Sequence, residues 1–421
     1  MVGRESLGVL LRNRPFVFYL GTTATSSVGG AMLNAALAWQ VYDMTGSPLP
    51  LGFLGVARFV PNFVLSFIGG ALADTRDRRV IVGISQLVPL AVAAVLGILT
   101  ATETITLGAI YFSSAITGIA AAFQGPAQTA LLPQIVPPTS FQRSVTLNTM
   151  VRKLSGVFGP FVAGLILAIA GVAPAYFGRM ALMLLGLVFL ASIRVDASTN
   201  PRAQLSLKLI KEGLDFMWGH RPVLGAMTLD LLAETFGSAE ALLPIYAKDV
   251  LGVGAVGFGL LNSARAVGGL AMSAVLTAIP PVVSSGRVLV LTVVCFGLAT
   301  VAFGLSTWFP LSLVLYALIA AIDQVSVVLR QNIIQLGTPD ALRGRVNSVN
   351  QVFVGSSGYL GEMESGVVAA WTGSAQFAVV SGGFGCLAAA VLLAALIPSL
   401  WRYRLALQTP RAEEPITPQP L

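Results

Sequence analysis

Asp230 and Glu234 stand four residues apart in one apolar run, and Arg265 and Asp323 lie near the middle of two others. A spacing of four puts two carboxylates on one face of a helix. There they repel, and burial disfavours the charged form of each, so one of them can exchange protons near neutral pH. Counted from the ends of their runs, Glu234, Arg265 and Asp323 reach similar depth. Asp230, Glu234 and Asp323 are therefore candidates for a proton site, with Arg265 as counter-charge. A fixed salt bridge between the Asp230–Glu234 run and the Arg265 run is the competing reading. Arg58 lies about a third of the way into an earlier run, and Glu362 and Glu364 lie in the second half of a late one, placed for an outer gate or for solvation. Arg330 and Glu240 lie nearer the ends of theirs.

Other chemistry is excluded. The single histidine, His220, sits at the edge of an apolar run, and Cys295 and Cys386 are far apart, so neither a metal site nor a disulfide framework is expected. Gly252, Gly254 and Gly257 spell GxGxxG, but no βαβ unit surrounds them, and no GxxxxGK[ST] occurs. No cofactor is expected, and neither is an enzyme.

The elements that must carry these charges are set by composition. Of 421 residues, 55% are hydrophobic and 10% charged. A soluble chain carries about 25% charge. With a mean hydropathy of +0.82, this one takes lipid as its solvent. The net charge of +7 is spread in short basic groups between apolar runs, which argues against a nucleic-acid partner. The expected partners are membrane lipid, a small-molecule substrate and protons, and the chain is expected to act as a monomer.

Runs long enough to span fall near 16–41, 49–73, 79–101, 105–132, 143–170, 174–194, 222–247, 253–279, 286–306, 310–336, 345–371 and 374–400. These predict an all-α membrane protein of twelve transmembrane helices. Residues 1–194 and 222–401 form two six-helix bundles, joined by a polar linker at 195–221. Leu205, Leu209 and Phe216 with Lys208 and Lys211 predict a surface-lying helix in that linker. The Pro-rich tail at 402–421 is expected to be disordered. With the N-terminus inside, cytoplasmic segments hold 20 of the 25 basic residues, counting Arg152 and Lys153, whereas Lys248 stands nearly alone outside. Both termini are then cytoplasmic. The excess of Arg over Lys hints at a bacterial source, and hence at the inner membrane.

An internal repeat supports two halves. A shift of 202 pairs Pro137 with Pro339, Arg143 with Arg345, Asn148 with Asn350, and Ser155, Gly156, Gly159 and Gly164 with Ser357, Gly358, Gly361 and Gly366. A shift of 207 pairs Gly52, Leu54, Ala57, Arg58, Val60 and Ser66 with Gly259, Leu261, Ala264, Arg265, Val267 and Ser273. Parallel halves of this kind place a solute site between them near the midplane. The equivalence of Arg58 and Arg265 favours a shared structural task.

GGALADTRDRRVI (69–81) resembles the hallmark GxLADRxGRR loop of the major facilitator superfamily, with Gly70, Leu72, Asp74, Arg78 and Arg79 in place. Thr75 and Asp77 replace the usual basic residue and glycine, and Arg76 stands in for the displaced charge. The resemblance implies that this loop latches the halves on the inner side through Asp74. SGVFGPFVAG (155–164) resembles the exporter motif GxxxGPxxGG through Gly156, Gly159, Pro160 and Gly164. NRPF (13–16), VYDMTGSPLPLG (41–52), ARFVP (57–61) and LRGRVNS (342–348) are similar to bacterial enterobactin-exporter and macrolide-efflux proteins. The implied activity is export of small amphipathic molecules, drug or siderophore in type, by proton antiport. An uncoupled facilitator or importer is the alternative, because Ser114 replaces an arginine common in drug antiporters; a non-transporting sensor would lack its output domain. By the same resemblance, Asn34, Trp39, Arg58, Phe123, Gln124, Gln128 and Gln324 are candidates for the substrate cavity. Each amide equally suits a helix-to-helix hydrogen bond.

Overall fold

A computed structural model of the protein describes residues 7–193, 207–280 and 282–404. The tail beyond 404 and most of the linker, Leu205 included, lie outside them, as do the side chains of Gly70, Asp74, Lys208, Leu209 and Lys211. Among the described residues every regular element is helical. The first half holds α1 (Leu7–Arg12), α2 (Arg14–Thr45), α3 (Leu49–Thr75), α4 (Arg78–Ala101), α5 (Leu107–Ile135), α6 (Phe141–Ala170) and α7 (Val172–Ala191). After α8 (Leu207–Gly219), the second half holds α9 (Arg221–Gly237), the short α10 (Leu243–Ile245), α11 (Gly254–Ala278), α12 (Ser285–Leu305), α13 (Phe309–Gly337), α14 (Asp340–Thr372), α15 (Ala375–Leu396) and α16 (Pro398–Trp401).

Local signals set the helix ends. Asn13 caps α2, its side chain accepting from the Phe16 amide, and Gly46 closes that helix in the left-handed region at φ 58°. Asp77, where the hallmark loop would have glycine, caps α4 by accepting from the Arg79 amide at 2.9 Å. The departure from the motif therefore has a local use.

Twelve described helices reach 17 residues or more, and nine are long and apolar enough to cross a membrane. That is three fewer than the sequence predicts. The helix α9 stops at Gly237 after 17 residues. Thr, Ser, Gly and amide side chains dilute α2, and α14 carries Asp340, Arg343, Arg345, Glu362 and Glu364. Large apolar side chains such as Phe112, Ile169, Val188, Val314 and Trp371 face outward, as lipid contact requires.

The repeat is visible in the packing. The helix α2 packs on α6 and α7, α3 on α5, and α4 on α5 and α7. Likewise α9 packs on α14 and α15, α11 on α13, and α12 on α13 and α15. The halves meet through α6 against α11 and α3 against α14, again equivalent pairs. Small residues make both seams. A Cβ on Gly164 would lie 2.7 Å from the Gly259 Cα, and one on Gly366 would lie 3.1 Å from the Gly52 Cα.

Arg12, Arg14, Arg76, Arg78, Arg79, Arg143, Arg221, Arg287, Arg343, Arg345 and Arg402 lie on the face shared by α1, α8 and α16, termed the terminal face. Among the described residues, connections on the opposite, distal face hold Lys248 as their one Lys or Arg. Arg152 and Lys153, counted with the cytoplasmic segments from sequence, instead lie about a dozen residues into α6. At 1.5 Å per residue that is roughly 18 Å from its start.

A charged cavity between the two halves

A cavity of about 490 Å³ opens between the halves, within the usual size range of small-molecule sites. Asn34 of α2, Arg58 of α3 and Lys153 of α6 line it on one side. Arg265 of α11, Asp323 and Gln324 of α13, and Tyr359 and Glu362 of α14 line the other, together with Glu240. Between them lie apolar surfaces from Ala31, Leu51, Leu54, Phe258 and Leu270.

In the first half, Arg58 donates to the Asn34 Oδ1 at 2.5 Å, and its Nε is buried without a partner. Lys153 donates to the Ser273 hydroxyl at 2.7 Å and to the Gln324 Oε1 at 3.3 Å. Both acceptors are neutral and both belong to the second half.

The second half is arranged around a helix break. After Gly237 the chain leaves α9 through Ser238 and Ala239, and a short 3₁₀ turn begins at Glu240. The chain then passes through α10 into a π-helical turn, Tyr246–Val250. The break brings Glu240 onto Arg265, whose Nη1 it binds. The Arg265 Nη2 also lies 3.9 Å from the Glu234 Oε2. Glu234 and Asp323 are within hydrogen-bonding reach of one another. Both, with Asp230, border a small second cavity. Asp230 is bound to Arg330, and both side chains are almost fully buried. The carboxyl groups thus run in a row: Asp230 held by Arg330, Glu234 and Asp323 facing each other, and Glu240 holding Arg265 at the main cavity.

The sequence-predicted residues divide accordingly. Asn34, Arg58, Arg265, Asp323, Gln324 and Glu362 are on the cavity wall, as are Gly156 and Pro160. Glu234 lies just behind it. The structure does not put Trp39, Phe123, Gln124 or Gln128 on that wall. Trp39 packs on Phe258 across the halves, with ring centroids 5.5 Å apart. Phe123 packs against a separate buried cluster that includes Phe16, Tyr19 and Leu131. Gln128 is buried as a connector, donating to Thr23 at 2.9 Å and accepting from Arg152 at 3.3 Å. Glu362 lies against Gly55 across the α3–α14 seam, whereas Glu364 is off the wall with its Oε2 buried and unpartnered. Around the hallmark loop, Arg76 is exposed, Arg78 donates to the Ala130 carbonyl, and the Arg79 Nε is buried. Within the exporter motif, Gly159 approaches Val28 and Ala31 of α2, and Gly164 approaches α11.

Three features escape the sequence reading. Lys153 reaches the cavity because it lies deeper in α6 than a hydropathy boundary suggests. Glu240 is the principal partner of Arg265, and the Gly-Ser-Ala sequence at 237–239 is the one signal of the break that puts it there. Arg179 of α7 is buried and donates to the Gly29 carbonyl at 2.6 Å.

The sequence profile of the transmembrane secretion effector family matches residues 9–416. The enterobactin exporter EntS of Escherichia coli O1:K1 / APEC is 27% identical over 403 residues, with 91% of each chain covered. The multidrug efflux pump Tap of Mycolicibacterium fortuitum is 26% identical over 371 residues, covering 84% of this chain and 89% of that one. Among solved structures, a POT peptide transporter in complex with alafosfalin superposes with a TM-score of 0.72 at 14% identity, over 92% of this chain and 95% of that one. An inward-facing, unoccupied bacterial homologue of the human lysosomal transporter Spinster gives 0.64 at 15%, over 92% and 96%. Those two likenesses establish the fold alone. This chain is a multi-pass membrane transporter, not an enzyme, and belongs to the transmembrane secretion effector family of the major facilitator superfamily.

Proposed function

We propose that the protein is a secondary active exporter that exchanges small amphipathic organic molecules for protons by alternating access. In this reading all twelve long helices span the bacterial inner membrane, and both termini are cytoplasmic. The halves at 1–194 and 222–401 rock about the cavity as a monomer. The observation that carries it is the Glu234–Asp323 pair at the edge of a cavity between two repeats, beside Arg265. Two facing carboxyls that cannot both ionise cheaply hold a proton between them. Export is supported by the two relatives, an enterobactin exporter and a multidrug efflux pump, and by the exporter motif at the α6–α11 seam.

Proton loading and solute binding share one compartment here. Protonating the pair removes negative charge facing Arg265, leaving Glu240 as its dominant partner. Deprotonating it restores an attraction across α9, α11 and α13. The test uses proteoliposomes containing a fluorescent amphiphile and an imposed pH gradient. Uphill movement is expected to stop on adding an uncoupler and in Glu234→Gln and Asp323→Asn, while downhill exchange continues. Uphill movement that survives both substitutions removes this pair as the coupling site. Movement that is never uphill leaves the uncoupled facilitator.

A further inference from the structure

The charges inside the two halves have opposite sign. Within the helices of the first half, the interior charged residues are Arg58, Arg152, Lys153 and Arg179, and the acidic side chains described there, Asp43, Asp77 and Glu103, stand at helix ends or connections. The second half carries Asp230, Glu234, Glu240, Asp323, Glu362 and Glu364, and its interior cations Arg265 and Arg330 are both ion-paired. Among the described residues, neither Arg58 nor Lys153 has a carboxylate within ion-pair distance. Both face the cavity with donors to spare. Lys153 has three and uses two, while Arg58 donates through Nη1 alone, to Asn34, and keeps Nη2 unused. Cations at membrane depth without an ion-paired carboxylate are costly and call for a counter-charge, which Glu362 on the same cavity wall supplies to Arg58 only from beyond ion-pair distance.

We propose that the Arg58–Lys153 wall is an anion subsite, so that the substrate is an amphipathic organic anion. Its charged group sits between these two side chains. Its apolar body lies on Leu51, Leu54, Phe258 and Leu270. The carboxylates opposite are then left free for protons, and the two ligands occupy opposite walls without competing for the same groups. This rests on the export reading above, but its test does not depend on coupling.

The test is equilibrium binding to purified protein in detergent, without any gradient, using pyrenebutyrate, its neutral amide pyrenebutyramide, and pyrenebutylamine as fluorescent probes. The acid is expected to bind at least tenfold more tightly than the amide or amine, about 1.4 kcal/mol. Lys153→Gln and Arg58→Gln should each reduce affinity for the acid roughly tenfold and leave the amide unchanged. Lys153→Arg should keep the preference. Thermal unfolding identifies a variant that fails to fold, and the preference of the folded wild type and Lys153→Arg decides the matter without it. Tighter binding of the amine, no binding of the acid, or a preference intact in both Gln variants overturns the proposal. Selective acid binding without uphill transport would sink proton-driven export alone, and uncoupler-sensitive export of the amine with no acid binding would sink the anion subsite alone.

Discussion

Gly164→Ala is the sharpest perturbation of the distal closure. The added Cβ would lie 2.7 Å from the Ala255 carbonyl oxygen and 2.7 Å from the Gly259 Cα. Both are backbone atoms and cannot swing aside. Ordinary contact begins at 3.4 Å, so α6 and α11 must part by about 0.7 Å. A radial gap of that size forfeits roughly a quarter to a half of each van der Waals contact along the seam. Overpacking of this kind costs about 1–3 kcal/mol. The better helix propensity of alanine, about 1 kcal/mol, acts whether the seam is closed or open and drops out of that equilibrium. The distal-closed state should therefore lose roughly a factor of ten for every 1.4 kcal/mol. A cysteine at Ala38, on the cavity wall, reports this once Cys295 and Cys386 are replaced by serine. A membrane-impermeant thiol reagent applied from the distal side should label it roughly tenfold faster in Gly164→Ala. Gly156→Ala, in the same motif, is the control, because its Cβ meets only the Ala266 Cβ at 3.6 Å. Equal labelling in the two variants would refute the argument that backbone contact closes this seam.

Three further outcomes follow from the geometry. Arg330→Ala strands the buried Asp230 and should cost about 3–5 kcal/mol, read as a lower unfolding temperature, whereas Asp230→Leu with Arg330→Met should restore most of it; a single variant that melts like wild type contradicts the pairing. Lys248→Ala removes a distal link to Asp43 between half-exposed side chains. It should cost under about 1 kcal/mol, with a difference from wild type that vanishes in high salt. Asp77→Ala removes the α4 cap and should cost about 1 kcal/mol in thermal unfolding, while Asp77→Gly, restoring the usual motif residue, should cost only a few tenths; the reverse order would show that capping is not its task.

Much of the scaffold was written in one dimension. Helices satisfy their own backbone groups, so apolar runs alone announced where the long helices lie, and the shifts of 202 and 207 paired Gly164 with Gly366 and Gly52 with Gly259. In space those glycines meet crosswise, Gly164 on Gly259 and Gly366 on Gly52, because a repeat packed on its copy uses equivalent surfaces twice. The clustering of basic residues at one set of helix ends was equally legible, with Arg152 and Lys153 as the exceptions. Partner choice among the charges was not. Depth along a run fixes height but not the direction in which a helix presents a side chain. Thus depth along the chain matches Arg265 with Glu234, a contact the structure keeps at 3.9 Å, while the break after Gly237 adds Glu240 as its closer partner. The amides show the same limit: Gln324 faces the cavity and Gln128 is spent on Thr23 and Arg152. Sequence therefore determined where the long helices run and, apart from Arg152, Lys153 and the break after Gly237, at what height their residues lie. Only the tertiary structure decided which of them face one another, since that depends on helix rotation and on breaks whose energies are set by neighbours distant in the chain.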